Sequence, residues 1–383
     1  MKRAVDAAVA SVVVACALVI LAATRAVPRR RRKGGKVLLV FNTFYSLKVL
    51  RERGTMHTIT HRDLDGYFDH VWSIHPLVGA DDPSAFAGAP SVTRLGPRHT
   101  VIEGRVARSV SLKAFPRLNF ALAQSELLIR VSWLIAREQV GIIRAWEPFY
   151  TGLVSVALGR LHAVPVELRI PSHFDRIYED VGDLAFPKLL PSRRLEQAVS
   201  RFSLRHADQV VVLSEDNREY AINNGASEER TSQLGSWSLI DPVHMVQPDE
   251  RGPVADFGLG DRPFVVAVTR LERVKYPQDV LLALARARVD FPELGGLLIG
   301  DGSMRDELDE LARELGLDGH LIFIRNLDVL ELSRAITSAA VAYVLIAGLA
   351  LREAALSGTP IVAYDYEWHS EFVVPEETGI LVP

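Results

Sequence analysis

The chain holds one cysteine, Cys16, in 383 residues, which excludes a disulfide framework and any thiolate metal cluster. Cys16 stands inside an apolar run and reads as chemically inert. No H-E-x-x-H helix or clustered set of metal ligands is present, so the sequence gives no metal site. No G-x-S-x-G elbow accompanies the available serine, histidine and aspartate residues, and a hydrolase triad is unsupported. Charge of one sign is also lacking. With 44 basic and 47 acidic residues the net charge is −3, which offers no global case for nucleic-acid binding. No repeat at a period of 20–50 residues appears, which leaves a solenoid without support.

What is there suits a folded protein. A hydrophobic share of 48% and a charged share of 24% are ordinary, and the length fits two domains with a segment to spare. The spare segment is N-terminal. Residues 7–24, AAVASVVVACALVILAAT, carry no charge. As a helix they reach roughly 27 Å, just enough to cross a hydrocarbon core. A basic block follows, with Arg25, Arg29, Arg30, Arg31, Arg32, Lys33 and Lys36, whereas only Lys2 and Arg3 precede the run and Asp6 offsets them. The positive-inside rule then puts the bulk of the chain in the cytoplasm. A cleaved secretory signal and an interfacial helix begin the same way, although a basic block beyond a cleavage site opposes export. The expectation is a single-pass anchor at the cell membrane over residues 1–36, lying outside the fold. Its basic flank is suited to anionic headgroups.

Beyond residue 36, strand and helix signals alternate. Strands are expected at 36–41, 57–61 (HTITH), 70–75, 140–146, 164–170 and 208–214, with helices at 46–54, 118–137, 151–163, 193–207 and 215–225. Residues 80–91 read as a loop. A proline-, glycine- and charge-bearing linker is expected over 241–262. A second series follows, with strands at 264–269, 294–300, 320–325, 339–346 and 359–365 and helices at 277–290, 303–316, 328–338 and 348–357. Regular alternation predicts parallel sheets with helices on both faces. The fold class is therefore α/β, two Rossmann-like doubly wound domains facing a cleft, one over 37–240 and one over 263–383. Ligands of such sheets lie beyond the carboxyl ends of the strands.

Three motifs in the second domain lie at such ends. In VTRLERVK (268–275), Arg270 and Lys275 sit on the loop leading into a helix, two cations suited to a diphosphate. Two such residues are also common on plain solvated surface. In LIGDGS (298–303), Gly302 and Ser303 open a helix, where small residues allow either close backbone approach to a ligand or a simple turn. In LALREAALSGTPIVA (349–363), Glu353 lies near a helix start, a carboxylate that salt bridging or solvent also explains.

In this order and spacing, TRLERVK, GDG, EAALSGTPIVA, Glu371 and the closing TGILVP (378–383) resemble the C-terminal half of family 4 glycosyltransferases, which have the GT-B fold. The first domain matches more loosely, through Gly152, Leu153, Pro165 and HADQVVVLS (206–214). The resemblance implies a metal-independent retaining hexosyltransferase that needs no cofactor beyond its nucleotide-diphosphate sugar donor. It implies Arg270, Lys275, Gly302 and Ser303 at the diphosphate, Glu353 at the ribose hydroxyls, and Gly348 and Leu349, with the backbone around Ala347, at the sugar. It implies His173, after the strand 164–170, near the anomeric centre as the catalytic candidate. Arg169 and Arg176 offer a site for an anionic acceptor instead. Asn42, Tyr45, Trp146 and Glu147 end strands on the acceptor side, with core packing the alternative for the tryptophan.

The sequence departs from the family in two places. Leu345 stands where the first glutamate of E-x7-E belongs, and the sequence stops at Pro383, where the family continues with further helix. The expected partners are a nucleotide sugar, a lipid-linked or surface-glycan acceptor and the membrane, with no nucleic acid. The alternative is a non-catalytic GT-B-like scaffold or partner subunit.

Overall fold

The computed structural model describes residues 2–23, 36–42, 45–52, 56–60, 62, 66–80, 82–234, 242–245, 257–346, 348–366 and 368–383. The basic flank at 25–33, most of the expected linker and Ala347 lie outside the described residues. The chain divides into two compact units, Met1–Trp237 and Ser238–Pro383.

The first unit opens with α1 (Lys2–Ala23), then β1 (Val37–Phe41), α2 (Leu47–Glu52), α3 (His57–Thr60), β2 (His70–His75), β3 (Ser91–Gly96) and β4 (His99–Glu103). It continues with α4 (Pro116–Glu138), β5 (Ile142–Ala145), α5 (Tyr150–His162), β6 (Val166–Ile170), α6 (Phe174–Val181), α7 (Arg193–His206), β7 (Gln209–Val212), α8 (Glu215–Asn223) and β8 (Thr231–Gln233). The eight strands form one sheet in the order β3-β4-β2-β1-β5-β6-β7-β8. All neighbours are parallel except β3 and β4. Strand β1 shows why a continuous apolar run is needed at the centre. Val37, Leu39 and Phe41 join one core with residues of α4 and α5, while Leu38 and Val40 belong to another with Phe68 and Val71. Alternate side chains point to opposite faces, and both faces are covered.

Two elements depart from expectation, and the hairpin at 91–103, α6 and β8 had no expectation attached. HTITH is not a strand: residues 57–60 form the short helix α3. The amides of Ile59 and Thr60 turn back onto the Met56 carbonyl, and Ile59 is fully buried in a cluster with Leu47, Leu50 and Val101. Burial of one isoleucine overrides the β preference of its neighbours. The 91–103 stretch is an antiparallel hairpin with a register shift between Arg94 and Gly96. Finally, α1 was expected outside the fold, yet it packs along α4, with Leu21 in the main core.

The second unit contains β9 (Phe264–Val268), α9 (Pro277–Asp290), β10 (Gly295–Ile299), α10 (Arg305–Glu314), β11 (Leu321–Ile324), α11 (Val329–Ser338), β12 (Val341–Tyr343), α12 (Leu349–Leu356), β13 (Ile361–Tyr364) and β14 (Gly379–Val382). Its sheet is wholly parallel, in the order β11-β10-β9-β12-β13-β14. Counted within the unit this is 3-2-1-4-5-6, a doubly wound sheet whose direction of winding reverses between β9 and β12.

Candidate active site

The three motifs converge on that reversal. Their loops leave the carboxyl ends of the neighbouring strands β10, β9 and β12. Backbone bonds tie the first two together: Leu271 N donates to Asp301 O at 3.0 Å, and Met304 N to Leu271 O at 2.9 Å. This closeness explains the glycines. A Cβ on Gly300 would lie 1.8 Å from the Thr269 carbonyl oxygen, at a φ of +155°, and one on Gly302 would lie 2.3 Å from the Leu271 oxygen. The GDG turn is therefore required by the fold, whatever it also binds.

Lys275 reaches across to the third loop, where its Nζ donates to the Ile346 carbonyl at 3.2 Å. Arg270 is exposed. Ser303 is already engaged: its amide and hydroxyl donate to the Glu272 carboxylate at 3.1 and 2.7 Å, and these bonds hold that carboxyl below its ordinary range. Gly302 N likewise donates to the Asp301 side chain. A diphosphate placed at Gly302 and Ser303 would thus displace carboxylates of the chain itself. Glu272 lies inside the RLERVK motif, and its place between two cations was the signal that sequence reasoning passed over.

Glu353 sits on the first turns of α12 with its side chain 14% exposed, and burial pushes its carboxyl up to about 7. The Nε2 of His244, itself buried, is 3.9 Å from Glu353 Oε1. No sequence signal marked His244. Gly348 precedes α12 with open space where a Cβ would be, and Leu349 begins the helix. Leu345 is 9% exposed within the apolar core of Leu281, Leu284 and Leu298. It offers no polar group.

In the first unit, His173 caps α6, its Nδ1 accepting from Arg176 N at 3.0 Å. A neutral imidazole that accepts at Nδ1 carries its proton on Nε2, which is then a donor. The other candidates are more structural than expected. Arg169 is buried and bonds Glu167 at 2.7 Å, with Arg144 on the same carboxylate at 2.8 Å. Arg176 pairs with Asp216. The Glu147 carboxylate accepts from the amides of Phe149 and Thr151 at the start of α5. Trp146 lies beneath the Arg169 guanidinium. Asn42 is buried with its amide on Ile74 O, and the Tyr45 carbonyl bonds His75.

Residues 255–383 match the family of glycosyl transferases group 1. This stretch, about a third of the chain, resembles that family and holds the second unit's sheet. Over 147 residues the chain is 31% identical to the GDP-mannose-dependent alpha-(1-6)-phosphatidylinositol monomannoside mannosyltransferase of Mycolicibacterium smegmatis, a match spanning 35% of this chain and 38% of that protein. The fold as a whole is that of known GT-B structures. Anabaena HepE, solved in complex with UDP-glucose, superposes with a TM-score of 0.65 at 16% identity, covering 90% of this chain and 85% of that one. Sucrose-phosphate synthase from Thermosynechococcus elongatus gives 0.64 at 17% identity, covering 91% and 86%. The matched residues contain all three motif loops, and the two-sheet α/β fold is GT-B.

Proposed function

We propose that the chain is a retaining glycosyltransferase, transferring a hexose from a nucleotide-diphosphate sugar to a lipid-linked or surface-glycan acceptor at the cytoplasmic face of the membrane. The observation that carries this reading is the meeting of Arg270, Lys275 and the Gly348–Leu349 helix start at the winding reversal of the second unit's sheet. The leaving nucleoside diphosphate gains negative charge as the glycosidic bond breaks, and fixed cations at a strand end stabilise that charge without reorganising. Glu353, when ionised, accepts hydrogen bonds only, which suits a ribose diol. In this reading the first unit supplies the acceptor side, and His173, whose Nδ1 is engaged at the start of α6, has Nε2 left to act as a donor. The lipid-linked acceptor is supported by the apolar N-terminal helix, because attachment raises the local concentration of a membrane-bound substrate.

One observation favours a second reading. Leu345 puts a buried hydrocarbon where the resemblance wants a sugar-binding glutamate, as in a non-catalytic scaffold. A donor panel including UDP-glucose and GDP-mannose, read by thermal shift and by release of nucleoside diphosphate, separates the two. Stabilisation by one donor with turnover in the presence of a membrane lipid extract supports the transferase. Absence of any shift across the panel supports the scaffold.

A further inference from the structure

Helix α1 is fixed to the first unit at both of its ends. Its buried residues Asp6, Ala10, Ala17 and Leu21 recur four and seven apart, one stripe of a helix, and that stripe meets α4. At the start of α4 the chain has Phe115 as the capping residue and no side-chain cap of its own. Asp6 fills that role from a distance of more than a hundred residues: Oδ1 accepts from Leu118 N at 3.0 Å and Oδ2 from Arg117 N at 3.2 Å. The carboxylate is 4% exposed, and a negative charge is favourable at a helix N-terminus. Lys2 lies over the Phe115 ring. At the other end, Leu21 enters the core with Leu39 and Leu127.

The outer face is the opposite in character. Val5, Val9, Val12, Leu18, Val19 and Ile20 are all exposed, Val19 by 71%. An apolar face of that length is not left in water. The sequence that follows it at once is the basic run Arg29 to Lys33, complementary to anionic headgroups.

We propose that α1 remains docked on α4 and lies in the plane of the bilayer, with its valine-rich outer face in the acyl boundary of one anionic leaflet. This rests on the reading that the protein works at a membrane face and specifies how it is held there. A helix crossing the bilayer would carry Asp6 to the far side, away from the amides of Arg117 and Leu118. Both arrangements cannot hold in one molecule. In the docked pose the outer face of α1 enters one leaflet while α4 covers its inner stripe, and the basic sequence that follows is suited to anionic headgroups.

The test uses the full chain with Cys16→Ser and Ala4→Cys, which leaves one thiol near the N-terminus. A membrane-impermeant maleimide should label that thiol in inverted vesicles and not from outside intact cells. Labelling from outside overturns the in-plane helix but leaves membrane attachment standing. Failure of the chain to co-float with any vesicle overturns the membrane reading itself. Flotation should increase when phosphatidylglycerol is added to phosphatidylcholine vesicles, and equal flotation on both refutes the role of the basic run. Docking has its own readout: in vesicle-bound protein, Asp6→Ala should speed amide exchange at Arg117 and Leu118 roughly tenfold, the loss of one helix cap. Unchanged exchange there refutes the docked pose.

Discussion

Replacing Glu353 by glutamine should stabilise the chain and weaken its hold on the donor. The wild-type carboxyl is raised to about 7 by burial alone. Its folded-state value lies above its unfolded one, so the native state binds the proton more tightly. The associated stability is present at acidic pH and is lost as pH rises from the ordinary carboxylate range through about 7. A rise of this size corresponds to about 3 kcal/mol when complete, and less to the extent that water reaches the 14% of the side chain that is exposed. Glutamine keeps the shape and removes the charge. Urea denaturation followed through the second unit should therefore show a gain for Glu353→Gln that is small near pH 5 and grows to about 1–3 kcal/mol by pH 8. Binding moves the other way. If only the carboxylate accepts the ribose hydroxyls, wild-type affinity for an intact sugar nucleotide should fall roughly tenfold from pH 8 to pH 6, as the ionised fraction falls. The glutamine variant should bind more weakly and without that slope. Intact donors are the right probe, because a free nucleoside diphosphate titrates in the same range. A variant less stable than wild type at pH 8, or one that binds the donor equally well, refutes the reasoning.

Arg270→Ala should weaken donor binding about ten- to hundredfold with stability unchanged, because the side chain is exposed and a charge-assisted hydrogen bond contributes about 1.5–3 kcal/mol; calorimetry reads it, and equal affinity removes Arg270 from the site. Lys275→Ala should give a similar loss in affinity together with faster amide exchange after β12, because it also frees the Ile346 carbonyl. Gly300→Ala should cost about 2–4 kcal/mol, from the approach to Thr269 O and the positive φ, and a neutral result in urea unfolding would contradict the loop geometry. His173→Ala should lose the cap of α6, about 1 kcal/mol, whereas His173→Asn should restore it. Turnover should stay low in both, and full activity in the asparagine variant ends the catalytic assignment.

The second unit was the more legible of the two. Helix 277–290 matches α9 to the residue, and each of the five expected runs contains its strand, although β12 takes up only three of eight residues and β14 was not expected. Every strand there is parallel, and β9 to β13 carry no charged residue. The first unit contains elements whose signals conflict. The helix over 57–60 is built from β-branched residues and is set by the burial of Ile59. The hairpin at 91–103 carries Arg94 and His99 at positions where a buried strand would be apolar, and pairing with β2 decides its place. The docking of α1 was invisible for a different reason. Charge-free helices that cross a membrane and those that lie against a domain share one composition, and the deciding contact is made by Asp6, a residue that read as a mere offset to Lys2 and Arg3.

The site divides along the same line. The glycines were legible because their spacing records a constraint on the backbone: loops that touch as closely as Thr269 and Gly300 leave few choices of residue. Glu272 shows where such reading stops. It stands inside the RLERVK motif, yet its bonds to Ser303 depend on a turn that only the folded sheet brings near. Because that carboxylate occupies the amide and hydroxyl of Ser303, a phosphate at this helix start would have to release it. The exposed guanidinium of Arg270, which adds to the lowering of the Glu272 carboxyl by its Ser303 bonds, would be a nearby cation for either anion.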